Sequence, residues 1–117
     1  MILSGGLIDI RAVEKLARKH FEKIKAKPMG VKLSDSLETF YSYDIGDGIS
    51  RESGSVLVIQ GDIDVIDEWE EKDYPYIIKH VKLKGSEGIV LRYIVNNGEV
   101  SLSERYVCRK GIWYLVL

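Results

Sequence analysis

Only one stretch of this chain, residues 10–26, carries helical periodicity over several turns; from about residue 37 onward the pattern is strand after strand, punctuated by turn residues. Such a chain has few options. Consecutive hairpin-joined strands build an antiparallel meander, and one amphipathic helix is available to cover one face of it. In the helical stretch Ile10, Val13, Leu16, Ala17, Phe21 and Ile24 share one face, while Arg11, Lys15, Arg18, Lys19, Glu22 and Lys23 fill the other. Asp9 is placed to cap the N-terminus, Lys25 and Lys27 complement the dipole at the far end, and Pro28 and Gly30 stop the helix.

Alternation over residues 38–45 puts Thr39, Tyr41, Tyr43 and Ile45 on one face, and Gly46-Asp47-Gly48 closes that strand. Val56-Leu57-Val58-Ile59 suits a central strand, interrupted at Gly61-Asp62. Residues 65–71 read as a short helical turn headed by Asp64, with a second hairpin strand through Ile63 and Val65 as the alternative. Because Pro75 can begin a strand, four strands are predicted after it, over 76–84, 89–95, 100–108 and 112–117. Gly85-Ser86-Glu87-Gly88, Asn96-Asn97-Gly98 and Arg109-Lys110-Gly111 serve as the turns between them. The fold class is therefore α+β, an N-terminal helix on a curved antiparallel sheet of five to six strands.

At 117 residues, with no Pro- or Gly-rich linker, the chain predicts a single domain over residues 1–117 that needs neither disulfide nor metal to fold. Cys108 is its only cysteine, which fits a reducing compartment and a small buried hydrophobe. The first residues lack a basic leader and no apolar run approaches a membrane span, so the expectation is a cytoplasmic protein without membrane contact. Abundant Lys and Glu beside only three side-chain amides, Gln60, Asn96 and Asn97, lean toward a thermophilic source.

The net charge of −1 conceals a segregation. Residues 1–33 hold eight cations against three acids, residues 34–73 hold two against twelve, and residues 74–117 hold seven against three. Near-neutrality argues against a nucleic-acid binder. The acidic middle, densest in residues 62–73, is either a solvated loop or a surface for a basic protein partner or for the basic side of a second copy.

The order of one helix and then hairpin strands, together with the terminal Arg105-Tyr106-Val107-Cys108-Arg109-Lys110-Gly111-Ile112-Trp113-Tyr114-Leu115, in which a Gly-x-Trp segment opens the last strand, resembles the cystatin-like and NTF2-like superfamily. The likeness covers the helix and about the last 40 residues. It implies a long bent antiparallel sheet wrapped around an N-terminal helix. Residues 28–73 depart from the NTF2-like pattern, which moves the likeness toward the simpler one-helix form. The resemblance implies functions as different as small-molecule isomerases and dehydratases, inhibitors and protein-binding modules, and so selects none.

Three polar residues are candidates for chemistry. His80 shares a strand face with Tyr76 and Ile78; on a concave face it would suit acid/base work, and otherwise it is a surface or structural histidine. Glu104 interrupts an apolar face of Val100, Leu102, Tyr106 and Cys108, and Arg92 interrupts Val90 and Ile94. The two either line a pocket or pair across adjacent strands, and a β-bulge would change where either one faces. Tyr41, Tyr43, Tyr76 and Tyr106 are candidates to line a ligand cavity, or else core residues. The acids of residues 62–73 lack the glycine spacing of a calcium loop, and the glycines form no phosphate-binding turn, so neither metal nor cofactor is expected.

These features lead to a binding or protein-interaction module, a homodimer through the convex sheet face or the edge near Leu117, where an apolar strand ends the chain. The alternatives are a lyase- or isomerase-type enzyme using His80, Glu104 and Arg92 in a cavity between helix and sheet, and a ligand-binding protein without chemistry.

Overall fold

The computed structural model describes residues 9–27, 29–44 and 53–117; Pro28, Ile45, the Gly46-Asp47-Gly48 turn and the first eight residues, on which parts of the sequence reading rest, lie outside them. One helix, α1 (Ile10–Lys25), precedes six strands: β1 (Val31–Lys32), β2 (Leu37–Asp44), β3 (Ser53–Asp73), β4 (Tyr76–Asn96), β5 (Glu99–Arg109) and β6 (Ile112–Leu115). All pairings are antiparallel, and β3 to β6 run as the expected meander. No helix among the described residues is long and apolar enough to cross a membrane.

The helix forms where its periodicity places it. Asp9 accepts from the backbone N–H groups of Arg11 and Ala12, and Lys23 and Lys25 occupy the last turn. Val13, Ala17, Phe21 and Ile24 are buried against the sheet where Val56 and Val58 at the start of β3, Ile89, Leu91, Tyr93 and Val95 in the second half of β4, and Val107 of β5 face them. Full burial of a side chain such as Phe21 contributes roughly 1.5–3 kcal/mol.

The sheet differs from the expectation in the length of its central hairpin. Residues 65–71, read as a helical turn, belong with the rest of 62–73 to the outer half of β3, as the alternative strand through Ile63 and Val65 has them, and Gly85-Ser86-Glu87-Gly88, read as a turn, is an internal bend of β4. A flat strand of 21 residues would run about 70 Å. The molecule is only 44 Å long, so the hairpin has to fold over. Two bulges do this. Asp62 pairs with Glu87 and Ile63 with Gly85, leaving Ser86 extra, and Ile66 is extra between Val65 and Asp67. Gly61 at the bend has φ +106, and a Cβ there would lie 2.6 Å from both the Glu87 carbonyl oxygen and the Gly88 Cα.

Beyond the bend, residues 76–83 of β4 are flanked by β3 on one edge and by β2 on the other. The other end of β2 reaches the start of β3, where Tyr43 pairs with Gly54 and Ser42 donates its N–H to Ser55 Oγ at 2.9 Å. The folded-over half thereby closes on the base of its own hairpin. A second core lies between the layers: Leu37, Tyr41, Leu57, Val81, Leu83, Val90, Tyr106, Cys108 and Trp113. The extra residue Ser86 lets Val81 and Leu83 face the same core as Val90, which strict alternation would forbid.

The edge of β6 near Leu117 is not open. β1 pairs with it, Val31 opposite Leu115 and Lys32 opposite Tyr114, and the backbone bonds continue through Leu33 and Ser34 to Trp113. A two-residue strand has too little pattern to be seen in advance. The open edge is instead that of β3 over residues 62–73, which no other strand covers among the described residues.

One ionisable pair stitches α1 to the sheet. The rings of His20 and Tyr93 stack at 5.8 Å, and Tyr93 Oη is hydrogen-bonded to His20 Nδ1 at 2.7 Å. Burial, then the nearby Lys23 and Arg105, lower the His20 pKa below 6.5, and burial pushes Tyr93 up to about 12. A histidine with a lowered folded pKa takes up its proton more readily when unfolded, so its contribution to stability falls as pH drops through 6.5 and below. A buried tyrosine has the opposite window, and its contribution is lost as pH rises from 10 toward 12. Urea melts are expected to show both losses, the acid one smaller in His20→Gln and the alkaline one smaller in Tyr93→Phe. Identical pH profiles for variants and parent would contradict this assignment.

Candidate functional site

Of the three residues singled out for chemistry, the fold brings two together. Arg92 on β4 and Glu104 on β5 are opposite each other in register, and Arg92 Nη1 donates to Glu104 Oε1 in an ion pair that leaves the arginine side chain only 14% exposed. Tyr106 donates its hydroxyl to Glu104 Oε2. Burial first, and then this bond to a carboxylate, raise the Tyr106 pKa. The expectation that Glu104 shares a face with Val100 and Leu102 fails for one reason. Ser103 is an extra residue between the pairs Arg92–Glu104 and Tyr93–Leu102, so Val100 and Leu102 face the helix while Glu104 turns with Tyr106 and Cys108 toward the second core.

His80 is placed elsewhere. It stands in a row across three strands, with Phe40 of β2 on one side and Trp69 of β3 on the other, on the sheet face opposite its buried neighbour Val81. Its ring stacks on Trp69, centroids 5.1 Å apart and planes 1° from parallel, and lies 6.0 Å from that of Phe40. Nε2 is buried 3.3 Å from Glu71 Oε1 without hydrogen-bond geometry. Phe40 also carries the Arg92 guanidinium, 4.5 Å above its ring. His80 and Arg92 thus touch the same phenyl ring, and no direct contact joins His80 to Glu104. The arrangement braces the two layers through stacking and cation–π attraction.

The four tyrosines divide. Tyr41 and Tyr106 are buried in the second core, and Tyr41 has a raised pKa through burial and the nearby Glu68. Tyr43 sits at the junction of β2 with β3. Tyr76 is about half exposed and lines a shallow cleft of about 380 Å³ with Ser42, Ser53, Ser55, Arg92 and Asn96. Cys108 is fully buried, and burial raises its pKa, which leaves a small apolar residue and a poor nucleophile.

A larger cavity, about 420 Å³, does lie between helix and sheet, but none of the residues chosen from the sequence lines it. Its walls are Ile24, Ile89 and Val107, rimmed by Lys25, Arg109, Lys110 and Glu87. Sequence reasoning assigned Lys25 to the helix dipole and Arg109-Lys110 to a turn. Their meeting depends on the β5–β6 hairpin turn coming beside the end of α1, which no local pattern announces.

The remaining surface of note is the open edge of β3. Residues 62–73 carry seven acids and one lysine, and all but Ile63 are exposed. Val65, Ile66 and Trp69 stand among the acids, Trp69 40% exposed although it stacks on His80. Part of the charge is met from β4, where Lys79 bonds to Glu70 and pairs with Glu68, contacts that raise the lysine pKa. Asp64, Asp67, Glu71 and Asp73 have no ion pair with Lys or Arg among the described residues. No three His, Cys, Asp or Glu side chains among the described residues gather as a metal-ligating group, because alternation along the strand sends neighbouring carboxylates to opposite faces.

No family model, curated protein or solved structure matches the chain.

Proposed function

We propose that this chain is a non-catalytic protein-interaction module that accepts an extended, lysine- or arginine-rich segment as an added strand along the free edge of β3. The observation that carries the reading is the edge itself: eleven of its twelve residues are exposed, seven of them acids, around an exposed Trp69. An uncovered strand edge presents every second backbone N–H and C=O to an incoming chain. The carboxylates select the partner's charge, and they also disfavour pairing of this edge with the same edge of a second copy, where like charges would face each other. A homodimer, the expectation from the chain terminus, would need a different surface, since β1 covers the edge of β6.

The test is a titration of tryptophan fluorescence, in which the exposed Trp69 rather than the buried Trp113 responds, with an eight-residue peptide of alternating lysine and threonine, beside the same peptide N-methylated at every residue so that neither of its edges can donate. Strand addition needs the peptide's N–H groups, so the unmodified peptide is expected to bind and the methylated one to bind at least tenfold more weakly. Neutralising Asp64, Glu71 and Asp73 together to their amides is expected to weaken binding by about tenfold, in line with roughly 0.2–1 kcal/mol per exposed pair. Equal binding of both peptides would reduce the effect to nonspecific attraction between opposite charges and remove the strand-addition reading.

A further inference from the structure

The cavity at the end of α1 combines two features that do not occur together by default, an apolar interior and unpaired cations at its mouth. The helix ends at Lys25, and its last turn meets the paired strands β4 and β5, so that Ile24 and Lys25 line the space together with residues 87–89 and 107–110. Ile89 and Val107 lie opposite each other in register on that floor, and Ile24 forms the side wall. At about 420 Å³ the space falls within the roughly 300–1,000 Å³ typical of small-molecule sites.

Around the mouth stand Lys25 from the helix and Arg109 and Lys110 from the turn between β5 and β6. The side chains of these three make no hydrogen bond or ion pair with any other described residue. Glu87 is the one acid at the rim and pairs in register with Arg109, yet the two side chains form no ion pair. Elsewhere on this surface lysines find carboxylates, as Lys79 and Lys82 do. Here three cations meet one acid and remain without an ion pair among the described residues.

We infer that this cavity binds a monoanionic amphiphile, a carboxylate on a short saturated chain, with the chain against Ile24, Ile89 and Val107 and the carboxylate among Lys25, Arg109 and Lys110. The charge selects a monoanion over a dianion. Lys25, Arg109 and Lys110 against Glu87 leave a surplus of two at the rim, and the C-terminal carbonyls of α1, worth about half a negative charge at the same mouth, bring it below what a dianion needs. A carboxylate also suits the planar donor fork of Arg109. This site is independent of the β3 edge, and neither proposal requires the other.

The probe is octanoate, followed by methyl NMR of the full chain, with butanoate, hexanoate and 1-octanol in parallel. The methyl signals of Ile24, Ile89 and Val107 are expected to shift together and saturably. Affinity should rise by about fourfold per added methylene until the chain fills the cavity. Octanol should bind at least tenfold more weakly than octanoate. The double variant Arg109→Gln/Lys110→Asn, which keeps a residue tolerant of positive φ in the turn, should lose about tenfold for octanoate and nothing for octanol. Glu87→Gln should gain affinity for octanoate. All three positions are exposed, and an unchanged thermal midpoint confirms that each variant is folded. Shifts scattered over other methyl groups, equal affinity for octanol, or weaker octanoate binding by Glu87→Gln would each overturn the inference.

Discussion

Gly61→Ala is expected to lower the unfolding free energy by about 3 kcal/mol, a large effect for the addition of one methyl group at an exposed position. The residue holds φ +106 at the point where the β3–β4 hairpin folds over, and the new Cβ would press on the Glu87 carbonyl and the Gly88 Cα, which are backbone and cannot rotate away. Either the bend opens, and the second core with Trp113, Leu83 and Tyr41 loses its lid, or the strain is carried by the whole sheet. Urea denaturation reads the loss as a lower midpoint. A midpoint within error of the parent would mean that the bend is not held where the structure has it.

The second large effect concerns the ion pair between the layers. Glu104→Ala leaves the Arg92 charge largely buried without its carboxylate and removes the acceptor of the Tyr106 hydroxyl. Breaking a fully buried pair costs roughly 3–5 kcal/mol, and because the Glu104 side chain is a third exposed, the expected loss is nearer 2–3 kcal/mol. Arg92→Met alone should destabilise for the complementary reason. The double variant Arg92→Met/Glu104→Gln removes both charges and keeps an amide for Tyr106. It is expected to be more stable than Arg92→Met or Glu104→Gln alone, a coupling that the double-mutant cycle of these two substitutions measures directly. Additive losses would show that the two side chains do not act as a pair.

What could be read from the sequence divides along physical lines. The helix over residues 10–25 was legible because its cap, its apolar stripe and its basic last turn all agree. The turns at Asn97-Gly98 and Lys110-Gly111 were legible because both residues of each take positive φ, a demand that Asn-Gly meets in any context and that Lys110 meets beside its glycine. The bend was not legible. Gly85-Ser86-Glu87-Gly88 has the composition of a hairpin turn, and only the pairing partners across the ladder show that the strand passes through it.

Residues 62–73 illustrate a tertiary override of local preference. Asp and Glu are poor strand formers, yet the cross-strand partners Trp69 with His80 and Glu70 with Lys79 hold them extended. The Arg92–Glu104 pairing could be anticipated from position. The facing of Glu104 could not, since a single inserted residue, Ser103, reverses it. His80 was identifiable as a strand histidine on a face with Tyr76 and Ile78, but its ring neighbours proved to be Phe40 and Trp69 on flanking strands. Those are long-range pairings that period-two reasoning along one strand does not reach. The cavity at the end of α1 was invisible for the same reason: Lys25, Ile89 and Arg109 are far apart in the chain.

A partner strand that adds along the free edge of β3 covers backbone N–H groups now open to solvent. Backbone amide exchange of the full chain, with and without the lysine–threonine peptide, tests it most directly. New protection is expected at alternate residues of β3 between 62 and 73, with no change at the β1 and β6 edge. Protection confined to other strands, or bound peptide with no protection along residues 62–73, would contradict it.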